Sequence, residues 1–358
     1  MLKASYTRYL LHFKRPAGTS RGVLRSKPAW YLHLERSDGM KGIGEVSLIP
    51  GLSRESPSEV ESSLKRLCAS INEGASELTS PELLSPELPA GIRFALESAL
   101  LDLDGGGSQL LYPSAFTRGS SGIPTNGLIW MGDPSFMKQQ IQEKLDQGFG
   151  VLKMKVGALD TELETGVVSW IRSRFGEHRL ELRLDANGAW SPAEALRKME
   201  RFAPFGIHSL EQPVAAGQWE AMARLCREAP FPLALDEELI GLDPEGDGAG
   251  LLGTVKPQFL ILKPGLLGGF KVCNRWIELA GGSGTGWWAT SALESSVGLN
   301  AIAQWTFHQK SSLTQGLGTG SIYRNNLASP LQMERSRLWY RRGQGWDLSP
   351  LTRASRPD

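Results

Sequence analysis

The sequence predicts an α/β fold in which a (β/α) barrel of TIM type follows a smaller N-terminal α+β domain. Three observations carry that prediction. The first is length: 358 residues exceed one ordinary core, and a barrel of roughly 200 to 250 residues leaves room for a second domain. The second is a repeat. Val151-Leu-Lys-Met-Lys-Val-Gly157, Leu180-Glu-Leu-Arg-Leu-Asp-Ala-Asn187, Ile207-His-Ser-Leu-Glu-Gln-Pro213, Phe231-Pro-Leu-Ala-Leu-Asp-Glu237 and Gln258-Phe-Leu-Ile-Leu-Lys-Pro264 each end a short apolar run with ionisable side chains. The steps from Lys155 to Asp185, Glu211, Asp236 and Lys263 are 30, 26, 25 and 27 residues, about the length of a strand with its return helix. The third is parity. Alternate strand side chains face opposite ways, so Leu152, Met154 and Val156 oppose Lys153 and Lys155, and Leu182 and Leu184 oppose Arg183 and Asp185. Leucines packed on surrounding helices leave the charged residues facing into a closed sheet, at one mouth.

Residues 1–120 lack this rhythm. Lys3 to Lys14 and Trp30 to Arg36 read as strands, joined by the loop Arg15-Pro-Ala-Gly-Thr-Ser-Arg-Gly22 with its Gly, Pro and Ser content. Gly42 to Pro50 reads as a third strand and Pro50-Gly-Leu-Ser53 as a turn, followed by helices at about 57–73 and 88–104. Gly105-Gly-Gly-Ser108 reads as a boundary linker. The barrel domain is assigned to 121–325. Thr125 to Gly132 is its first strand, with a helix from about Pro134 to Gln147. Ser191-Pro-Ala-Glu194 supplies an N-cap, a proline at the first helical position and an acid reaching back, which starts a helix running to about Phe202. Further helices fall at about 217–228, 244–253 and 268–280. Gly286 to Ser291 and Leu313 to Gly320 supply strands seven and eight. The segment 326–358 carries two apolar runs, Leu331 to Met333 and Leu338 to Tyr340, and is expected to return to the N-terminal domain.

Composition narrows the class. A hydrophobic share of 41%, a charged share of 22% and a net charge of +1 describe an ordinary globular protein with no electrostatic case for nucleic acid or an anionic membrane. Cys68, Cys226 and Cys273 are widely separated, without metal-like spacing, as suits reduced thiols and a cytoplasmic location. No run of about 18 apolar residues occurs. Oligomeric state is not legible.

The chemistry follows from the strand ends. Asp185, Glu211 and Asp236 end three consecutive strands, and three carboxylates brought together repel unless a cation lies among them. An all-oxygen set favours Mg²⁺, with Mn²⁺ second, over zinc; three solvated strand-end acids are the plain alternative. Lys155 and Lys263 flank this trio, and a metal with neighbouring ammonium groups is expected to depress a lysine pKa towards use as a base. The role this suggests is proton removal beside a substrate carboxylate. Lys153 fits a helper or a structural ion pair as well as proton transfer. Arg183 fits equally an anionic substrate or a ligand carboxylate. Glu294-Ser-Ser296 offers Ser295 and Ser296 either as contacts to a substrate carboxylate or as helix caps. Trp287 and Trp288 read chiefly as barrel core.

Lys153-x-Lys155, Asp185-Ala-Asn187, Glu211-Gln-Pro213, Asp236-Glu237 and Lys263-Pro264 resemble the muconate lactonizing branch of the enolase superfamily, whose lysine base with Mg²⁺ is a known pattern. Within it, Arg183 to Asn187, Ser291 to Leu299 and Gly316-Leu-Gly-Thr-Gly320 resemble the o-succinylbenzoate synthase family. The resemblance implies a modified TIM-type (β/α) barrel with an N-terminal α+β capping domain, whose two covering loops would be Gly18-Thr-Ser-Arg-Gly22 and the turn at Pro50. It sets Ser20, Arg21, Gly318 and Thr319 among the substrate contacts. It also implies dehydration of 2-succinyl-6-hydroxy-2,4-cyclohexadiene-1-carboxylate to o-succinylbenzoate in menaquinone synthesis, with Lys155 moving the proton through an enolate and Lys263 facing the ring.

Two other readings stand beside it. An N-acylamino acid racemase or dipeptide epimerase would use the same two lysines, although dipeptide epimerases of this branch usually carry Asp-x-Asp where Gly318-Thr319-Gly320 stands; muconate cycloisomerase is a further possibility. A phosphate-ligand-binding barrel would use Gly316 to Gly320 as a cradle, but the three acids would repel phosphate.

Overall fold

A computed structural model of the chain describes residues 2–19, 22–74 and 87–354. The N-terminal domain is an antiparallel meander of β1 (Leu2–Thr19), β2 (Gly22–Arg36) and β3 (Lys41–Ser47), backed by α1 (Pro57–Asn72) and α2 (Ala90–Asp104). Ser56 starts α1 with a reciprocal box: its Oγ accepts from the Glu59 N–H at 3.3 Å, while its own N–H donates to Glu59 Oε2 at 2.7 Å.

The loop expected over Arg15 to Gly22 is instead mostly strand, with β1 continuing to Thr19 and β2 resuming at Gly22. Prolines do not break the hairpin because neither sits where a ladder needs its N–H. Pro16 falls in the register shift between His12 and Ala17 on an edge strand. Pro28 lies just outside the Ala29–Glu35 stretch that pairs with β3.

β4 (Ile123–Pro124) leads into seven parallel strands: β5 (Gly127–Ile129), β6 (Val151–Lys155), β7 (Glu181–Asp185), β8 (Ser209–Glu211), β9 (Leu233–Leu235), β10 (Phe259–Leu262) and β11 (Gly286–Ala289), neighbours in that order. Between them run α3 (Pro134–Asp146), α4 (Thr161–Arg172), α5 (Pro192–Phe202), α6 (Trp219–Glu228), α7 (Gly248–Val255), then α8 (Pro264–Leu267) and α9 (Phe270–Ser283); α10 (Ser296–His308) follows β11. The eighth strand expected over Leu313 to Gly320 shrinks to two bridged residues. Gln315 bridges Thr125 on the β5 side and Gly316 bridges Thr290 on the β11 side, which closes the ring. A Cβ at Gly316 would stand 2.5 Å from Thr290 Cγ2, so the seam needs glycine.

Parity holds at every stave. Leu152, Met154, Leu182, Leu184, Leu210, Leu233, Leu235, Leu260 and Leu262 join the core between sheet and helices, while Ala234, Ile261 and Trp288 pack together on the opposite face, inside the ring. After the barrel, β12 (Leu331–Glu334) pairs with β13 (Arg337–Tyr340), which pairs with β4, and α11 (Ser349–Ala354) follows, with Leu351 in the same apolar cluster as Leu11 of β1. No helix among the described residues is long and apolar enough to cross a membrane.

Candidate active site

Register brings the ionisable strand ends to one level: Lys155 lies beside Asp185 across β6 and β7, and Asp185 beside Glu211 across β7 and β8. Asp236 and Lys263 follow the last residues of β9 and β10 directly. Asp185, Glu211 and Asp236 are all buried, each presenting a carboxylate oxygen within 4.8 Å of the others. Gln212 fixes this geometry from behind, its Oε1 accepting the Asp236 N–H at 3.1 Å while its Nε2 donates to Glu238 Oε2 at 3.1 Å.

The lysines interleave with the acids. Lys153 bonds Glu211 Oε2 and lies 2.9 Å from Asp185 Oδ2. Lys155 Nζ is 3.3 Å from Asp185 Oδ2 and 2.5 Å from Asn187 Oδ1, and Lys263 pairs with Asp236. Burial works against the charge on Lys153 and Lys263, but the carboxylates outweigh it and hold both pKa values above the ordinary lysine value. At Lys263 the carboxylates therefore work against the depression expected of it, because oxygen partners sit closer than rival cations. Burial likewise pushes the acids up. It raises Glu211 to about 7 and lifts Asp236, whereas at Asp185 the Lys153, Lys155 and Lys263 ammonium groups overcome it and hold the carboxyl well below the usual range.

The site fits a hard divalent cation. Glu211 Oε1 and Asp236 Oδ1 are buried without a hydrogen-bond partner among the described residues, and unpartnered buried carboxylate oxygens are costly unless something positive meets them. The donor set is all oxygen, as a hard ion prefers.

Above the acids lies a cavity of about 90 Å³ lined by Lys153, Lys155, Asp185, Asn187 and Lys263. Ile49, Pro50 and Leu52 of the N-terminal domain face the same space, as do Gly318 and Thr319. Ser20 and Arg21 lie outside the described residues. Three anticipated contacts point elsewhere. Arg183 is fully buried below the mouth, bonded to Glu181 Oε1 at 2.7 Å and the Thr314 carbonyl at 2.9 Å, with its guanidinium 4.1 Å from the Trp288 ring. It closes the barrel interior. Ser295 Oγ donates to Glu45 Oε2 at 2.6 Å while accepting the Val297 N–H as the N-cap of α10, and Ser296 Oγ donates to the Leu327 carbonyl at 2.7 Å. These hydroxyls are committed to the fold, because a helix start brings its orphan N–H groups as well as its serines. Ser296→Ala should therefore lower the chemical-denaturation stability by about 1 kcal/mol and leave KM unchanged.

Among the cavity residues that escaped the sequence reading, two carry unpartnered polar atoms. Asn126 and Thr290 are buried and line the cavity with Oδ1 and Oγ1 unpartnered among the described residues. Only the alternation through Trp288 to Thr290 pointed inward. Neutral side chains carry no other signal.

The arrangement defines a capped (β/α)-barrel enzyme with a buried acidic triad flanked by lysines. The chain belongs to the enolase superfamily: residues 137–350 match the family described as Enolase C-terminal domain-like. An o-succinylbenzoate synthase from Desulfotalea psychrophila strain LSv54 is 47% identical over 93% of this chain and 97% of that protein. The crystal structure of MenC from Desulfotalea psychrophila LSv54 superposes with a TM-score of 0.84 at 42% identity, over 94% of this chain and 99% of that one. The L-Ala-D/L-Glu epimerase from Bacillus subtilis shares the fold, with a TM-score of 0.81 at 21% identity over 97% of each chain.

Proposed function

We propose that the chain is an o-succinylbenzoate synthase of menaquinone biosynthesis, dehydrating 2-succinyl-6-hydroxy-2,4-cyclohexadiene-1-carboxylate to o-succinylbenzoate. The observation that carries this reading is the pair Lys155 and Lys263, delivered from separate strand ends to one cavity beside the acidic triad, in a chain 47% identical to such an enzyme over nearly its whole length. Asp185, Glu211 and Asp236 would hold Mg²⁺, with Mn²⁺ as substitute, and bound there the cation supplies positive charge beside the substrate carboxylate.

Lys155 takes the proton from the carbon bearing that carboxylate. The C–O bond to the ring hydroxyl then breaks with its electron pair leaving on oxygen. Lys155 returns the proton to the departing hydroxide, so the products are one water and an aromatic ring. Lys263 faces the charge that accumulates on the ring. Lys153, paired with both Glu211 and Asp185, bridges the two acids and offsets their repulsion. Asn126, Thr290 and Thr319 offer neutral hydrogen bonds to the rest of the substrate. Ile49, Pro50 and Leu52 exclude water from above.

The test is loss of the cyclohexadiene absorbance on mixing the diene with purified protein. Turnover is expected with Mg²⁺, should vanish under chelator and should return on adding Mg²⁺. A protein that binds the diene without converting it under these conditions would overturn the reading.

A further inference from the structure

Ser291, Ala292 and Leu293 follow β11 and form one wall of the cavity. Leu293 holds φ at 60°, the left-handed region that a leucine occupies only when its surroundings enforce it. Its carbonyl accepts from the Lys27 ammonium at 2.9 Å and from the Tyr323 hydroxyl at 2.6 Å. Its N–H donates to Ser291 Oγ at 3.0 Å, and that hydroxyl donates to Glu294 Oε2 at 2.7 Å.

Lys27 arrives from β2 of the N-terminal domain, is completely buried, and spends a further hydrogen bond on Ser47 of β3. Burial pulls its pKa below the ordinary value, against the support of Glu45 and Glu294. A buried ammonium is a poor adhesive, since an apolar side chain of similar volume packs at lower cost. Lys27 is not among the residues lining the cavity. What it does is aim a donor at one strained peptide. Glu45 of β3 grips the far end of the same segment, accepting from the Ser295 N–H at 2.8 Å and the Gly298 N–H at 2.8 Å.

We propose that Lys27 is a positioning residue: from the opposite domain it locks the Ser291–Leu293 wall of the substrate cavity in its left-handed turn, so substrate affinity depends on a side chain that never touches substrate. The proposal rests on the active-site reading above, and the measurements separate the two. Turnover by the parent enzyme tests that reading. Exchange protection of the Leu293 amide, compared between parent and Lys27→Met, tests Lys27 without any substrate.

Lys27→Met should raise KM about tenfold, the scale set by relaxing one left-handed residue, while kcat stays within about threefold. The Leu293 amide should exchange at least about tenfold faster. Glycine takes the left-handed region without strain; in a Leu293→Gly background Lys27→Met should therefore raise KM less than about threefold. A purely structural lysine would lower stability and move neither KM nor this coupling. Unchanged KM in folded Lys27→Met, an equal rise in both backgrounds, or unchanged exchange would overturn the proposal. Should Lys27→Met fail to fold, Tyr323→Phe removes the other donor to the same carbonyl and introduces no buried charge. It should raise KM by about threefold to fivefold, and an unchanged KM there would be equally fatal.

Discussion

Lys155→Ala is expected to fold and to lose nearly all turnover. The fold should survive because Asp185 keeps two partners when Lys155 is removed: the Lys153 ammonium at 2.9 Å and the Asn187 N–H, which donates to its Oδ1 at 3.0 Å. Turnover should not survive, because the other amine of β6 at the cavity, Lys153, is committed to Glu211 and Asp185, and general acid and base contributions are typically 10²- to 10⁴-fold. Lys153→Ala supplies the contrast. Its ammonium is the described partner of Glu211 Oε2, while Glu211 Oε1 already lacks one; removing it leaves a buried carboxylate uncompensated, at about 3–5 kcal/mol. The two lysines, two residues apart on one strand, should therefore separate into a kinetic defect and a folding defect. Measuring kcat beside the circular-dichroism melting curve of each variant checks this, and Lys155→Ala retaining more than about a hundredth of the parent rate would remove it as the base.

The strand ends were legible because they violate composition: an ionisable residue closing a run of leucines, repeated at steady intervals, has few structural explanations. Parity then told inside from outside, and the leucines of β6 to β10 occupy the outer core as that alternation requires. Alternation gives direction but not height along the barrel axis. Arg183 and Asp185 share a face, yet one closes the floor against Trp288 and the other stands in the mouth. Position relative to a strand's last residue decides the difference, and strand ends are the boundaries sequence marks least sharply. Leu313 to Gly320 reads as a full strand, whereas only Gln315 and Gly316 pair there, and glycine at 316 allows the close approach to Thr290. The hairpin of β1 and β2 reads as shorter than it is. Proline and glycine signal turns locally, but Pro16 sits on an edge where no ladder bond is lost. The hold that Lys27 has on Leu293 spans 266 positions, and no local pattern announces such a contact.

Asp185→Asn should produce the largest change in metal affinity that a single isosteric substitution can give here. Asp185 is the acid that three ammonium groups hold well below the usual range, so the substitution deletes a full charge. Asparagine keeps the acceptor for the Asn187 N–H but offers a hard cation a neutral oxygen in place of an anionic one. Losing an outer partner of a metal ligand already costs about 10- to 100-fold in affinity, and losing the ligand's charge should cost at least the upper end of that range. The same substitution strips a counter-charge from Lys153 and Lys155, so a modest loss of stability should accompany it. Calorimetric titration with Mg²⁺, or the spin-resonance signal of free Mn²⁺, reads the affinity without reference to turnover. Parent-like affinity in folded Asp185→Asn would place the cation elsewhere, and with it the carboxylate-bearing end of the substrate.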